Sequence, residues 1–154
     1  MQKDDPQLRL ATNADCAAVR VLVFEVLREY GLSPDPADTD ADLANLETFY
    51  RDGWFAVLEA NGTIIGSVGL LPVGPGEMEL RKMYLHQNWR GRGLGRMLLE
   101  AALAEARLRN IRKVLLGTAS VLEEAVALYR QTGFRPSCMH HPASRCDQVW
   151  ELEL

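Results

Sequence analysis

The sequence predicts one α/β domain built on a mixed sheet. Strand-type runs and helical patterns alternate along the chain in the order β-α-α-β-β-β-α-β-α-β-β. No linker, internal repeat or low-complexity segment interrupts that order, and 154 residues are enough to bury a core. We therefore expect a single domain over residues 1–154.

Composition limits the classes of function. The chain is 47% apolar and 25% charged, as is ordinary for a globular protein. Its net charge of −4 argues against a general nucleic-acid binder, and no apolar run approaches the length that spans a bilayer. The opening "MQKDDPQLRL" lacks the layout of a signal peptide, and three cysteines do not make a disulfide framework. We expect a cytoplasmic protein with neither nucleic-acid nor membrane partners.

The first elements carry clear start and stop signals. "LRLA" (8–11) predicts a strand, and "TNAD" after it predicts a capping box of Thr12 with Asp15. The helix that follows, over about 14–30, is apolar nearly all round, so we expect it to lie deep, and Gly31 ends it.

The next segment, 32–47, holds two prolines and several acidic residues, which predicts a surface loop and then a short helix toward Tyr50. In "WFAVLEANGTIIGSVGLLPV" two β runs flank Asn61-Gly62, the dipeptide favoured in type I′ hairpin turns. "GPGE" (74–77) predicts another turn, and "MELRKMYL" (78–85) another strand.

The second half of the chain repeats the alternation. A helix follows the glycine-rich stretch at 91–95, with apolar residues at 94, 97, 98, 101, 104 and 108. "KVLLGTA" (113–119) predicts a buried strand. Ser120 and Glu123 predict a second capping box, opening a helix that stops at Gly133. "DQVWELEL" alternates as a closing strand.

The stretch "QNWRGRGLGRMLLEAAL" (87–103) predicts an anion site. A helix N-terminus offers unpaired N–H groups and a partial positive charge, and glycines let the backbone approach a ligand closely. The arginines there add forked donors suited to phosphate. A dinucleotide loop or P-loop starting at Gly91 would need glycine where Arg96 stands, so neither motif fits. A flexible basic turn with no ligand is the simpler alternative.

The same stretch resembles the GNAT superfamily of acyl-CoA-dependent N-acetyltransferases. The family signature is Arg or Gln, two residues, Gly, one residue, then Gly or Ala, and Arg90, Gly93 and Gly95 satisfy it. "AVALYRQTGF" (125–134) is similar to the family's second landmark, a helix with a tyrosine four residues before Gly-Phe. The resemblance covers residues 8–154 and implies a mixed, mostly antiparallel sheet of about six or seven strands flanked by about four helices.

The resemblance also implies roles for individual residues. Backbone of Met83, Tyr84 and Leu85 would pair with the pantetheine arm of acetyl-CoA. Tyr129 would protonate the departing thiolate, and Glu79 lies where many members keep a catalytic carboxylate. The CoA pyrophosphate would be cradled by the amides of Arg90, Gly91, Arg92, Gly93, Leu94, Gly95 and Arg96. No metal is required.

The chemistry needs these residue types. An alkyl ammonium has a pKa near 10 and must lose a proton before it attacks a thioester, and a carboxylate can accept that proton, usually through a water. A phenol can then protonate the thiolate. Tyr129 could instead be a core residue, and Glu79 could form only a solvated pair with Arg81 on the same strand face.

The segment "SCMHHPASRCD" (137–147) holds further candidates. Cys138, His140, His141 and Cys146 match no common zinc spacing, and a cysteine nucleophile would need a neighbouring base. The segment is predicted as the loop between the last two strands, where either histidine could touch substrate or carry a proton.

Two features bear on substrates. Asp38, Asp40 and Asp42 are either a solvated surface or an acidic wall that attracts a cationic amine. Leu122 stands where many family members have an asparagine that reaches the cofactor, a contact that Thr118 or Ser120 could replace.

The sequence therefore predicts acetyl transfer from acetyl-CoA to a small-molecule amine by direct attack in a ternary complex. The alternatives are a non-catalytic acyl-CoA-binding module and a protein or peptide N-acetyltransferase. Family members often form dimers through their C-terminal strands, so a homodimer is a further expectation.

Overall fold

One seven-stranded sheet organises the protein, with strands in the order β1-β2-β3-β4-β5-β7-β6. In this computed structural model, which describes residues 5–139 and 141–154, only the β4–β5 pair is parallel and every other neighbouring pair is antiparallel. The strands are β1 (Gln7–Leu10), β2 (Trp54–Ala60), β3 (Thr63–Gly74), β4 (Glu77–Leu85), β5 (Lys113–Thr118), β6 (Arg135–Pro136) and β7 (Gln148–Glu153). The α-helices are α1 (Cys16–Glu29), α2 (Leu46–Phe49), α3 (Leu94–Leu108) and α4 (Glu123–Thr132). The predicted fold class is confirmed.

Local signals set several of these elements. Thr12 and Asp15 form the predicted capping box at a 3-10 turn that leads into α1. At the β2–β3 hairpin, Asn61 and Gly62 both have positive φ, 54° and 77°, as a type I′ turn requires. No helix among the described residues is long and apolar enough to cross a membrane.

Two apolar clusters cover the two faces of the sheet. On one face α3 and α4 pack against β2 to β5, with Leu98 and Leu99 fully buried. On the other face α1 and α2 pack over β2, β3 and β4, with Val23 and Leu27 fully buried. Tyr84, near the end of β4, packs against this second cluster.

The predicted helix faces need correction. Helix α1 buries one face only, and Val21 on its outer side is 57% exposed. In α3 the buried stripe is Leu94, Leu98, Leu99, Ala102, Leu103 and Ala106. Met97 and Leu108, both predicted for the apolar face, are exposed, because the helix buries the adjacent i, i+4 row instead.

The capping box predicted at Ser120 and Glu123 is wrong. Helix α4 has Leu122 at its N-cap position and no side-chain cap. The Ser120 hydroxyl instead donates to Asp147 at 2.7 Å, and its amide donates to the same carboxylate at 2.8 Å. This bond ties the end of β5 to the start of β7.

The acidic segment after α1 is not simply a solvated surface. The side chains of Asp40 and Asp42 are fully buried, and they surround the ammonium group of Lys82 at 3.3 and 3.2 Å. Asp42 Oδ1 lies there without hydrogen-bond geometry, so that contact is one of charge rather than a directed bond. Arg145 from the β6–β7 loop also binds Asp40, at 2.8 Å. Both carboxylates are therefore paired with cations and are not free to attract an amine.

Removal of the buried ammonium tests this ionic cluster. In Lys82→Met the Asp42 carboxylate stays buried without its cation, and such a loss typically costs about 3–5 kcal/mol. We expect urea unfolding to show a loss of that order. Lys113→Met, which breaks a surface pair with Glu151 at 2.8 Å, is the control and should be nearly neutral. Equal losses of unfolding free energy in the two variants would contradict the assignment of Lys82 as the cation of a buried ionic cluster.

Candidate active site

A cleft opens where β4 and β5 part. The two parallel strands pair only from Glu77–Lys113 to Leu80–Leu116, whereas β4 continues to Leu85. Beyond Leu80 the edge of β4 that faces β5 has no strand partner among the described residues. Two adjoining cavities, of about 320 and 50 Å³, lie between the separated strands. Both are lined by Met83, Tyr84, Leu122 and Ala125.

A β-bulge at Lys82 aims this end of β4. Lys82 has φ of 52°, and the register with β3 shifts between Ser67 and Gly69. The Ser67 hydroxyl donates to the Lys82 carbonyl at 2.7 Å and is fully buried. A bulge bends its strand and re-aims the groups that follow it. The backbone of Met83, Tyr84 and Leu85, predicted to pair with a cofactor arm, consequently lies along the cleft.

The glycine-rich loop closes one end of the cleft. Gly91 and Gly93 both have φ of 79°, in the left-handed region that favours glycine. Helix α3 starts at Leu94 without a side-chain cap, so its first N–H groups have no partner within the helix. A Cβ added at either glycine would meet no atom within 4 Å, which leaves open space beside the backbone. Of the predicted loop residues, Arg90, Gly91, Gly93, Leu94, Gly95 and Arg96 line the cleft.

The three arginines of the loop have different roles. The Arg90 guanidinium binds the Glu29 carboxylate, the Tyr30 hydroxyl and the Leu85 carbonyl, and so ties the end of α1 to the end of β4. Its side chain therefore serves the fold. Arg92 lies over the Trp89 ring at 4.7 Å, and Arg96 donates to Gln131 at 3.0 Å. Arg92 does not line the cleft cavity.

Tyr129 lies at the base of the cleft. It is 5% exposed, packs on Phe134 with ring centroids 5.7 Å apart, and lines the smaller cavity with Tyr84 and Cys146. Burial raises the pKa of Tyr129 well above its ordinary value, so the phenol is protonated at neutral pH. Tyr129 is thus a core residue whose protonated side chain lines the cleft.

Leu122 contributes apolar surface where the family pattern has asparagine, and it lines both cavities. Ser120 cannot replace the missing amide, since its hydroxyl is bound to Asp147. Thr118 is buried and lines the smaller cavity, so it remains the candidate to replace the asparagine side chain.

Glu79 lies on the α1–α2 face of the sheet between two donors. Arg81 donates to one carboxylate oxygen at 3.0 Å, and His141 Nε2 lies 3.0 Å from the other. Burial alone would raise the pKa of Glu79, but the hydrogen bond from His141 and the charge of Arg81 outweigh it and lower the pKa below its ordinary value. The pair predicted with Arg81 is present, and His141 is a second partner that the sequence did not assign to Glu79.

The other candidate residues of the segment 137–147 lie in different surroundings. Cys138 is exposed, whereas Cys146 lines the smaller cavity. His140 lies outside the described residues. Among the described residues, no group of three or more His, Cys, Asp or Glu side chains is placed to hold a metal ion. Lys82, Arg145 and Gly117 carry no motif, and sequence reasoning missed all three because their partners are distant along the chain.

Comparison with known proteins agrees with this architecture. The model of the acetyltransferase (GNAT) family matches residues 21–134. An uncharacterized N-acetyltransferase of Escherichia coli, YjgM, is 34% identical over 137 residues, which cover 84% of this chain and 81% of that protein.

Solved structures show the same fold. A GNAT-family acetyltransferase from Staphylococcus aureus superposes with a TM-score of 0.89 at 20% identity, covering 97% of this chain and 99% of that one. YncA of Salmonella typhimurium, solved with its cofactor acetyl-CoA, gives a TM-score of 0.73 at 25% identity, covering 97% and 94%. The chain belongs to the GNAT family and is an acetyltransferase.

Burial of the tyrosines predicts an unusual alkaline titration. Burial is the largest cause of a raised pKa for Tyr30, Tyr50 and Tyr129, and it raises that of Tyr84 to about 12. Absorbance at 295 nm should therefore show little phenolate at pH 10 in the folded protein, but about half ionisation in urea. Since the folded pKa values are the higher ones, this contribution to stability is complete below about pH 10 and falls above it. A titration of the folded protein centred near pH 10 would contradict the raised tyrosine pKa values.

Proposed function

We propose that the protein transfers an acetyl group from acetyl-CoA to the amine of a small-molecule acceptor by direct attack in a ternary complex. The observation that carries the proposal is the cleft between β4 and β5, which joins the uncapped amides of α3 to the Tyr129 side chain. Structural likeness to YncA, which was solved with acetyl-CoA, supports the choice of donor.

The cleft fits acetyl-CoA in two ways. Uncapped N–H groups at Leu94, Gly95 and Arg96 suit a pyrophosphate, and the positive φ at Gly91 and Gly93 keeps the adjacent space free of side chains. The edge of β4 at Met83, Tyr84 and Leu85 has no strand partner and offers backbone groups to an amide-bearing arm, apart from the Leu85 carbonyl, which already accepts from Arg90. We assign cofactor binding to these residues together with Arg90 and Arg92, whose backbone completes the loop.

Glu79 and Tyr129 have the roles of base and acid in this proposal. The Glu79 carboxylate is ionised at neutral pH and accepts the ammonium proton, directly or through a water. The neutral amine then attacks the thioester carbon of acetyl-CoA and forms the C–N bond, and the C–S bond breaks to release the CoA thiolate. Tyr129, held protonated by burial, donates its proton to that thiolate, and the phenolate then takes the proton that the nitrogen loses as the amide forms. No metal ion is needed for these steps.

Other parts of the proposal rest on the family resemblance and on composition. We propose one acetyltransferase domain over residues 1–154, action in the cytoplasm, and a homodimer through the C-terminal strands.

A non-catalytic acyl-CoA-binding module is the second candidate. Leu122 favours it, because the cleft lacks the asparagine amide that many family members keep at this position. Both candidates require the cleft to bind acetyl-CoA, and they differ in turnover.

Thiol release from acetyl-CoA across a panel of small amines tests the function. We expect turnover with at least one amine. Tyr129→Phe and Glu79→Gln should each lower kcat about 10²-fold or more, with acetyl-CoA affinity within about twofold of wild type. Tight binding without turnover on any amine would favour the binding module. Turnover with peptides but no small amine would overturn the acceptor class.

A matched pair of glycines tests the cofactor site. Gly93→Ala and Gly62→Ala both introduce a side chain at positive φ in open space, so each should cost about 1 kcal/mol of stability. Only Gly93 lies at the loop, so calorimetric titration should show weaker acetyl-CoA binding for Gly93→Ala alone. Equal affinity of the two variants would contradict the assignment of the loop.

A further inference from the structure

The His141 imidazole is held by contacts on three sides. Its Nδ1 accepts a hydrogen bond from the Ala143 amide at 3.0 Å, and its Nε2 lies 3.0 Å from Glu79 Oε2. In the neutral ring the Ala143 amide selects the tautomer with its proton on Nε2, so Nε2 donates a hydrogen bond to the carboxylate. The ring therefore meets Glu79 as a donor in a fixed orientation.

The third side of the ring lies against the backbone of β5 at Gly117. A Cβ added at Gly117 would lie 2.2 Å from Cδ2 and 2.6 Å from Cγ of His141. Real Cβ contacts are never so short, so any other residue at 117 would push the ring away. The φ of Gly117 is not positive, so backbone geometry does not require glycine there. Glycine is needed at this position because the His141 ring lies directly against its backbone.

We propose that His141, seated on Gly117, is a positioning residue that fixes the Glu79 carboxylate for its role as base. The inference rests on the proposed function, since it assigns a partner to the base named there. Arg81 holds the other oxygen of Glu79, so the two donors together set the direction of the carboxylate.

The charges around this pair define what His141 contributes. The charged groups that act on Glu79 are Arg81 on its own strand and His141 from the β6–β7 loop, and His141 in turn contacts Cys146. On β5, Leu115 pairs with Glu79, and Gly117 lies against the His141 ring. Asp42 and Tyr50 also interact electrostatically with the Arg81 guanidinium.

The ring itself also titrates. Contacts with Cys146 and Glu79 raise the pKa of His141 to about 9, while the Ala143 amide favours the neutral form. Nε2 carries a proton in either charge state, so its bond to Glu79 is kept.

Loss of the ring should raise the pKa of Glu79 and leave its carboxylate less well oriented. Without the His141 donor, burial of Glu79 is opposed by Arg81 alone, so the pKa of Glu79 rises. The acid limb of kcat against pH should then move up by about one pH unit. A carboxylate held by one donor is also less well directed, which lowers kcat above that limb.

A double-mutant cycle tests the seat and the ring together. His141→Ala and Gly117→Ala should each lower kcat about tenfold, with acetyl-CoA affinity unchanged. The double variant should match His141→Ala, because the methyl group added at position 117 then meets no ring. His141→Gln keeps an N–H donor and should recover much of kcat. Gly74→Ala, at a glycine with open space and no positive φ, is the control for added bulk in a strand and should match wild type.

A second measurement needs no turnover. The Nε2–H proton of His141 should give a downfield NMR resonance that vanishes in His141→Gln, shifts in Glu79→Gln and is lost in Gly117→Ala. A resonance unaffected by Glu79→Gln and Gly117→Ala would overturn the proposal, as would additive losses of kcat in the cycle. Absence of turnover in the wild type would instead count against the proposed function, while this resonance would still test the contact.

Discussion

The separation of β4 from β5 is the feature on which the site depends. Parallel pairing stops at Leu80–Leu116 because β4 bulges at Lys82 and turns away from its neighbour. The bulge places Lys82, a non-glycine residue, at positive φ, a conformation that costs free energy unless the surroundings hold it. Asp40, Asp42 and the Thr39 carbonyl supply that hold by surrounding the Lys82 ammonium. A buried charge cluster thus maintains an open strand edge, and the open edge is the floor of the cleft.

Much of the fold could be predicted because its signals are local. Thr12 and Asp15 lie three residues apart, Asn61-Gly62 is adjacent, and β-type alternation covers whole strands. The phase of α3 could not be predicted from apolar spacing alone, because Met97 and the buried Leu98 are both apolar and only the packing partners choose between them. The capping box at Ser120 failed for a similar reason, since a distant carboxylate, Asp147, competes for the hydroxyl.

The site residues likewise differ in whether their signals are local in sequence. The glycine-rich loop and Tyr129 belong to contiguous motifs, so residue types and spacing were enough to predict that both belong to one site, and both line the cleft. The surroundings of Glu79 were not, because Arg81 is two residues away whereas His141 is 62 residues away. Charge patterning also misled at Asp40 and Asp42. An acidic run normally indicates a solvated surface, but here each carboxylate meets a cation from another element.

The Asp40–Arg145 bond has a consequence for how the protein acquires its site during synthesis. These partners are 105 residues apart, whereas the glycine-rich loop and the start of α3 lie within a few residues of each other. Contacts between residues distant in sequence form late, because a long loop must close first. On the ribosome the loop and α3 can therefore form while the chain is still growing. The walls beside Glu79 cannot be completed until the segment around residue 145 has left the exit tunnel.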